Sequence, residues 1–367
     1  MQTRVLPAVA AAAAIVLLAT PAATATDDDA IPRTPSGRPD LTGTYDVATL
    51  TPLSRPREFG DNAFLTPEQA DEIVERERQR VAARAAVRQI TEAPPPGGAP
   101  PIGLGDEFRE RSGAGNVGGY NNFWTDRGSD VFSIDGKFRT SIIVDPPNGR
   151  MPALTAETMQ RMSEQRGRRR GNDGTAWWLD VEGPGPYDGP ESLGVPERCL
   201  IGFGSTGGPP MLPTLYNNAK RIVQTENHVM ILIEMVHDAR IVRIGGEHAP
   251  AGERRWLGDS IGWWEGDTLV VETTNFIDRP ALFLASRNLK VTERFTRVNA
   301  DDLLYGFTVE DPTIWTAPWS GEYLWPGIAG NVYEYACHEG NYSMGGILKG
   351  ARLLEDEARS AASSGGE

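Results

Sequence analysis

This sequence contains few of the residues from which common catalytic centres are built. It has two cysteines and four histidines in 367 residues. It lacks a nucleophile elbow, an HExxH zinc motif, a Walker loop and an EF-hand loop, which argues against the common hydrolase, zinc-protease, nucleotide-binding and calcium-binding classes. The glycine-rich residues 113–119 have no strand pattern before them and no helix pattern after them, so they do not predict a phosphate-binding loop.

Long apolar runs are also lacking. Residues 6–18 form a short run, and no stretch approaches the roughly 20 apolar residues that a membrane helix needs. The run follows Arg4 and precedes residues 23–25 (ATA), a pattern typical of a cleaved secretory signal. We therefore predict a signal peptide over residues 1–25 and a periplasmic or secreted mature chain without an integral membrane span. A retained N-terminal anchor is the alternative.

Positive charge is scarce relative to negative charge. Lysine and arginine together number 36 against 50 aspartates and glutamates, which gives a net charge of −14. Because an acidic surface repels phosphate backbones, we do not expect nucleic acid as a partner. The hydrophobic content of 39% is ordinary for a chain that buries a core in one large domain or two smaller ones.

The two cysteines, Cys199 and Cys337, are far apart in the sequence. An even pair in an exported chain predicts a disulfide bond, with two buried free thiols as the alternative. Neither cysteine has the spacing of a zinc site. His237, His248 and His338 could converge in space, but nothing in their spacing requires it, so we predict no metal. We expect no nucleotide or flavin cofactor either.

The N-terminal part predicts little regular structure. Residues 26–110 are interpreted as an arm, a surface helix and a linker rich in proline and glycine. The helix begins with Thr66 as N-cap, Pro67 at the first helical position and Gln69 at the capping-box position. A second helix is predicted over residues 155–168.

The sequence changes character from residue 221 onwards, where short runs rich in β-branched and aromatic residues alternate with turn signals. The predicted strands are residues 221–225, 229–236, 239–244, 268–275, 291–298, 303–309 and 332–337. We predict a mainly β fold, an antiparallel barrel or sandwich of lipocalin-like character with peripheral helices. The β-rich ligand-binding or catalytic domain would span residues 111–352, and residues 353–367 would form a disordered tail.

The alternation within these strands predicts a barrel whose interior is partly polar. In residues 291–298, one face carries Val291, Glu293, Phe295 and Arg297. Polar residues on both faces of a strand are expected where the wall meets solvent on one side and a partly polar interior on the other.

His237 and Arg240, in residues 234–240 (EMVHDAR), are the first candidates for catalysis. Histidine titrates near neutrality and arginine stays charged, so the pair could move a proton and hold an anion. Adjacent residues of a strand point to opposite faces, so His237 and Asp238 could both face inward only if the strand has ended there. An exposed or structural histidine is the alternative.

Two further segments combine aromatic and polar side chains, as small-molecule pockets do. Residues 120–127 form either a pocket wall or a loop that caps the core, and residues 338–342 form either a site beside the disulfide or a corner that ends the last strand. The additional candidate catalytic residues are His338 and Glu339. The candidate substrate-binding residues are Tyr120, Asn121, Trp124, Arg127, Trp256, Asn275, Asn341 and Tyr342.

Several motifs make the chain resemble a large family of exported bacterial proteins, most without an assigned activity. The motifs are residues 120–127 (YNNFWTDR), 142–149 (IIVDPPNG), 234–240 (EMVHDAR), 264–276 (WEGDTLVVETTNF), 293–297 (ERFTR) and 335–342 (YACHEGNY). Some similar proteins are linked to the breakdown of lignin-derived aromatic dimers, in which cofactor-independent lyases release carbon dioxide or formaldehyde from a phenylcoumaran side chain. No catalytic residue of that activity can be matched to a position here.

This resemblance implies an exported lyase of decarboxylase or deformylase type that acts on a small aromatic compound. An arginine would anchor the substrate, and a histidine or glutamate would act as acid or base. The rival interpretation is a non-catalytic, lipocalin-like carrier of a hydrophobic small molecule in the periplasm. A homodimer is left open.

Overall fold

A computed structural model gives the fold of this chain. It describes residues 31–85, 125–168, 174–202, 204–278 and 280–364. The predicted signal peptide and most of the predicted linker lie outside the described residues, and so do Tyr120, Asn121 and Trp124.

The described part of the chain is mainly β, as predicted. Its strands are β1 (Gly43–Asp46), β2 (Ser133–Ile134), β3 (Lys137–Phe138), β4 (Ile143–Asp145), β5 (Ala219–Gln224), β6 (His228–Ile233), β7 (Ala239–Ile244), β8 (Asp259–Glu265), β9 (Thr268–Thr274), β10 (Lys290–Arg297), β11 (Leu303–Glu310) and β12 (Trp319–Trp325). Ten of them form one sheet in the order β1-β5-β6-β7-β8-β9-β10-β11-β12-β4, and β2 pairs with β3. Neighbouring strands are antiparallel except β7 and β8, which are parallel.

The large sheet curls into a half-barrel. Its two ends are drawn together because β1 also bonds to residues 326–328, which directly follow β12. The Asp46 N–H donates to the Pro326 carbonyl at 3.0 Å, and the Ile328 N–H donates to the Thr44 carbonyl at 2.8 Å. The predicted N-terminal arm therefore contributes a strand to the sheet.

Side chains of alternating residues fill the inside of the half-barrel. On β10 the face that carries Val291, Glu293, Phe295 and Arg297 points inward, since all four residues are buried. Aromatic rings occupy much of this interior, and the Tyr305 ring stacks on Trp325 with centroids 4.4 Å apart. The other buried rings of the interior include Tyr45, Phe307, Trp319 and Tyr323.

Three longer helices of the described residues lie outside the sheet: α1 (Pro67–Ala85), α2 (Ala156–Arg168) and α3 (Tyr342–Ser364). The predicted capping box of α1 is confirmed, because the Thr66 N–H donates to Gln69 Oε1 at 2.9 Å and the Gln69 N–H donates to Thr66 Oγ1 at 3.3 Å. The turn between β8 and β9 places Gly266 at φ +60°, in the left-handed region that favours glycine.

Two predictions about the C-terminal part are wrong. Residues 332–337 are not a strand: the Tyr333 N–H donates to Glu234 Oε1 at 3.4 Å rather than to a neighbouring strand, and Cys337–Gly340 forms a single helical turn. Residues 353–364 are not a disordered tail, since they continue α3. Glu355 fixes that helix by accepting a hydrogen bond from Trp178 Nε1 at 2.8 Å.

Candidate functional site

The predicted disulfide is confirmed. Cys199 and Cys337 are bonded across a sequence separation of 138 residues, with their Cα atoms 5.8 Å apart. Asn341 lies beside the bond and donates to the Glu197 carbonyl at 2.8 Å. A cavity of about 850 Å³, the disulfide cavity, is lined by both cysteines and by Asn341.

The other candidates in residues 338–342 are at the surface. His338 and Glu339 are exposed on the helical turn Cys337–Gly340, and the side chain of Tyr342 is 86% exposed. A substrate held by these groups would lie in solvent rather than in a sheltered site. Of the candidate residues in this segment, Asn341 lines the disulfide cavity, together with its neighbour Gly340.

Arg240 lies inside the half-barrel, where it is locked to another buried side chain. Its Nη1 and Nη2 atoms donate to the two carboxylate oxygens of Glu293 at 3.0 and 2.5 Å, and Tyr305 donates to the same carboxylate at 2.7 Å. The side chains of Arg240 and Glu293 are 1% and 0% exposed. Because the guanidinium of Arg240 is neutralised by the carboxylate of Glu293, it is not available to bind the anionic group of a substrate.

The strand that precedes His237 has ended before the histidine is reached. β6 stops at Ile233, and a tight turn follows in which Val236 and His237 have φ values of +61° and +45°. His237 is exposed, whereas Asp238 is turned towards the protein and lines a cavity. The turn therefore points His237 and Asp238 in different directions, one to solvent and the other to the cavity.

Asp238 lines a cavity of about 350 Å³, which we call the small cavity. Its lining includes Ile201, Asp238, Arg240, Arg255, Trp256 and Ser260. Trp256, a predicted substrate-binding residue, provides an aromatic wall. Arg255 is half exposed, and its ion-pair contacts with described residues are long, at 3.5 Å to Asp259 and 3.8 Å to Glu253. The small cavity thus combines a ring surface, a cation and a carboxyl group.

The carboxyl group of Asp238 has a higher pKa than an ordinary aspartate. Burial raises the pKa of Asp238 to about 6, against the opposing effects of the Gly202 N–H and of the charges on His237 and Lys220. A carboxyl with a pKa near 6 is protonated in part at neutral pH, so it can give or take a proton there. A shifted group that faces a cavity is a candidate for acid–base work.

Lys220 is wholly buried on β5, and its charge acts on the carboxyl of Asp238. Its Nζ atom has no hydrogen-bond partner among the described residues. Burial lowers the pKa of Lys220 to about 7, although the charges of Glu234, Asp46 and Asp238 raise it. The sequence offered one signal for this residue: Lys220 shares a strand face with Ile222, but the predicted strand began one residue too late.

Arg127 lines a different and larger space. A cavity of about 1210 Å³, the large cavity, is bounded by α1 and by residues 49–53, 151–154, 212–215 and 282–284. Arg127 and Arg240 therefore belong to separate cavities, and the predicted residues do not converge on one centre.

Asn275 has a role in the backbone around the small cavity. It follows β9 with φ +57°, and its Nδ2 atom donates to the Ala249 carbonyl at 2.8 Å. Ala249 belongs to the connection between β7 and β8, which also carries Arg255 and Trp256. Asn275 thus holds the connection whose later residues form one wall of the small cavity.

His248 lies in a charged cluster on the same connection. Its two ring nitrogens lie 3.0 Å from Asp259 and 3.2 Å from Glu272, and Arg243 binds both carboxylate oxygens of Asp259. These contacts hold the pKa of Asp259 well below its usual range, with the Arg243 hydrogen bond as the largest cause. The cluster fixes the start of β8 next to the small cavity.

In the part of the chain that the structure describes, no group of three histidine, cysteine or acidic side chains is arranged to hold a metal ion. The helices within the described ranges include none that is long and apolar enough to cross a membrane. Comparison with protein-family models, curated proteins and solved structures finds no match to this chain.

Proposed function

We propose that this chain is an exported, cofactor-independent lyase that acts on a small aromatic compound carrying an anionic group, and that the small cavity is its active site. One observation carries the proposal: Asp238, whose pKa is raised to about 6, lines that cavity together with Arg255 and Trp256. Trp256 offers a ring face to the aromatic body, and Arg255 can turn towards an anion.

The substrate class that the family resemblance implies is an aromatic compound with a carboxylate on its side chain. The side-chain carbon next to the one that bears the carboxylate carries an aryl ether. The bond to the carboxylate carbon breaks, and carbon dioxide leaves. The electron pair forms a carbon–carbon double bond, while the ether C–O bond breaks and leaves its electrons on the phenolate oxygen. That oxygen takes the proton of Asp238, and solvent restores the proton to the carboxylate.

The proposal assigns two roles to residues other than those predicted. Asp238 replaces His237 as the proton-transfer group, because His237 is exposed and Asp238 lines the cavity. Arg255 replaces Arg240 as the anion anchor, because Arg240 is already paired with Glu293. His338 and Glu339 have no role in this step.

The lyase is preferred to a lipocalin-like carrier because of the packing inside the half-barrel. A carrier of that kind holds its ligand within the barrel. Here the described interior is filled by stacked aromatic rings and by the Arg240–Glu293 pair. The small cavity lies at the margin of the barrel instead, where residues 200–201 approach β7.

Turnover and the Asp238→Asn variant test the proposal. The purified chain is incubated with lignin-type aromatic dimers that carry a carboxylate, and products are followed by mass spectrometry. Replacing the acid should lower kcat about 100-fold or more. Activity of the wild-type chain should fall as pH rises through about 6, because the proton on Asp238 is lost there.

Asp278→Asn provides the matched control, since that carboxylate is 72% exposed and pairs with Arg287 at the surface. It should keep wild-type activity, and both variants should keep the wild-type circular dichroism spectrum. An inactive wild-type chain across the whole panel contradicts the lyase assignment. A fully active Asp238→Asn variant contradicts the assigned acid.

A further inference from the structure

We propose that the disulfide cavity is a second binding site, which takes a small quaternary ammonium compound. The inference rests on the carboxylates, aromatic rings and apolar side chains that line this cavity. It does not rest on the reaction proposed for the small cavity, because the two cavities share no described lining residue.

The first observation is that the charge of the lining is negative. The charged residues among its described lining are Glu197 and Glu334, and both are exposed to solvent. Glu197 accepts a hydrogen bond from the Gly194 N–H at 2.6 Å, and neither carboxylate is ion-paired with another described residue. The cavity therefore offers two carboxylates that have no counter-ion from the described protein.

The positive groups around the cavity do not cancel this charge. Arg198 and His338 adjoin lining residues in the sequence, but neither belongs to the described lining. The first residues of α3 line the cavity, and the helix dipole places about half of a unit positive charge at that end. Asn341 caps this end by accepting from the Met344 N–H at 3.4 Å. Two carboxylates in the lining outweigh this partial charge, and the net charge of −14 adds to the attraction of a cation.

The second observation is a pair of aromatic side chains in the same lining. Tyr216 and Tyr335 both line the cavity, and a hydrogen bond joins their side chains. Both also pack against the core of the half-barrel, so their rings are held in place. Because the face of an aromatic ring attracts a cation, the rings and the carboxylates favour the same kind of ligand.

The third observation selects the kind of cation. Apolar side chains complete much of the lining: Leu193, Pro196, Ala336, Met344 and Ile347. A primary ammonium needs acceptors for three N–H groups, which such side chains cannot supply. A quaternary ammonium has no N–H group, so its methyl groups can contact apolar side chains and ring faces while its charge meets the carboxylates. The cavity volume of about 850 Å³ is within the usual range of ligand sites.

NMR titration of the full chain with three probes tests the site. The probes are choline, ethanolamine, and dimethylbutanol, the uncharged analogue of choline in which carbon replaces the nitrogen. Choline should bind more tightly than dimethylbutanol, which lacks the charge, and than ethanolamine, which lacks the methyl groups. Glu197→Gln and Glu334→Gln should each weaken choline binding about fivefold, the upper range for an exposed ion pair, and should leave dimethylbutanol binding unchanged.

A pair of substitutions at Tyr335 tests the aromatic contribution. Tyr335→Leu removes the ring and should weaken choline binding about threefold. Tyr335→Phe keeps the ring and should bind choline as the wild type does. Equal affinity of the two variants for choline would contradict a role for the ring.

Glu357→Gln is the matched control, because it removes the same charge from an exposed position on α3 that does not line the cavity. It should leave choline binding unchanged. The proposal is overturned if choline does not bind, if dimethylbutanol or ethanolamine binds as tightly, or if Glu357→Gln loses as much affinity as the cavity variants. Asp238→Asn should bind choline as the wild type does, which keeps this result separate from the lyase proposal.

Discussion

Lys220 holds an amine where its charge has no direct partner. Its side chain is 0% exposed, and three carboxylates act on it without forming an ion pair among the described contacts. Burying a charge without a close partner is costly, so the folded protein favours the neutral amine. The same amine acts on the carboxyl of Asp238, which links a residue of the barrel wall to the small cavity.

Replacing Lys220 by methionine should change how stability depends on pH. Folding lowers the pKa of Lys220 from 10.5 to about 7. Between these values the unfolded chain binds a proton that the folded chain does not, so wild-type stability should rise with pH across this window. Below pH 7 the cost of the buried charge is fully present. The Lys220→Met variant should lack this rise.

Urea denaturation of both proteins at pH 7 and pH 10 measures the effect. Between pH 7 and pH 10, the free energy of unfolding of the wild type should increase by up to about 4 kcal/mol more than that of the variant. Lys290→Met is the comparison, because Lys290 is partly exposed and its pKa is raised by Glu272 rather than lowered. If the difference between wild type and Lys220→Met stays constant over this range, the amine is not buried as described.

At the scale of single elements, local sequence patterns predicted most strands of the β-sheet and the start of α1. The alternation in residues 291–298 separated the two faces of β10, and the capping box identified the start of α1. β12 was missed because Pro318 and the Ser-Gly pair at 320–321 read as a turn. In the fold, Gly321 is needed there because an added Cβ would lie 2.5 Å from the Phe307 ring.

The candidate site was less predictable than the sheet, because its chemistry depends on contacts between distant segments. The motif at residues 234–240 located the turn that contributes to the candidate site. It favoured the exposed His237 as the catalytic residue, whereas Asp238 is the residue that lines the cavity. The partner that neutralises Arg240 comes from β10, and no spacing rule links the two strands. Lys220 becomes unusual only after other segments have buried it.

Helix α3 should depend on Glu355 for its attachment. The buried carboxylate accepts from Trp178 Nε1 at 2.8 Å and pairs with Arg352 and Arg359 at 2.6 and 3.3 Å. Glu355→Ala leaves the indole N–H without a partner, which should cost about 1–3 kcal/mol. Hydrogen exchange in residues 351–364 should accelerate, and the fluorescence of Trp178 should change.

Asp356→Ala is the suitable comparison, since its carboxylate is 71% exposed and pairs with Arg359 at 2.9 Å on the surface. This variant should exchange at the wild-type rate. Equal protection of residues 351–364 in the wild type and in Glu355→Ala would show that other contacts hold the helix.

At the scale of the whole molecule, the disulfide connects the segment after the barrel to the wall of the small cavity. Cys199 directly precedes Leu200 and Ile201, which line that cavity. On the other side, Cys337 follows the segment whose Tyr333 N–H bonds to Glu234, one of the carboxylates near Lys220. The disulfide thus restrains two parts of the protein: the cavity wall at residues 200–201 and the segment around Tyr333 that contacts Glu234.

Removing this bond should destabilise the fold and alter the small cavity together. For a separation of 138 residues, the chain-entropy model gives a loss of about 5 kcal/mol. The double variant Cys199→Ser/Cys337→Ser should therefore melt at a lower temperature than the wild type. Because the wall at residues 200–201 is freed, Asp238 should become better hydrated, and its pKa should move down towards the usual range of a carboxyl.

Thermal denaturation with and without reductant, together with carboxyl titration by NMR, measures both effects. Reductant should lower the melting temperature of the wild type to that of the double variant and should leave the double variant unchanged. An unshifted pKa of Asp238 in a destabilised but folded double variant would mean that the bond supports the fold without shaping the cavity. The two readouts therefore separate global stability from local burial, because only the second depends on where residues 200–201 lie.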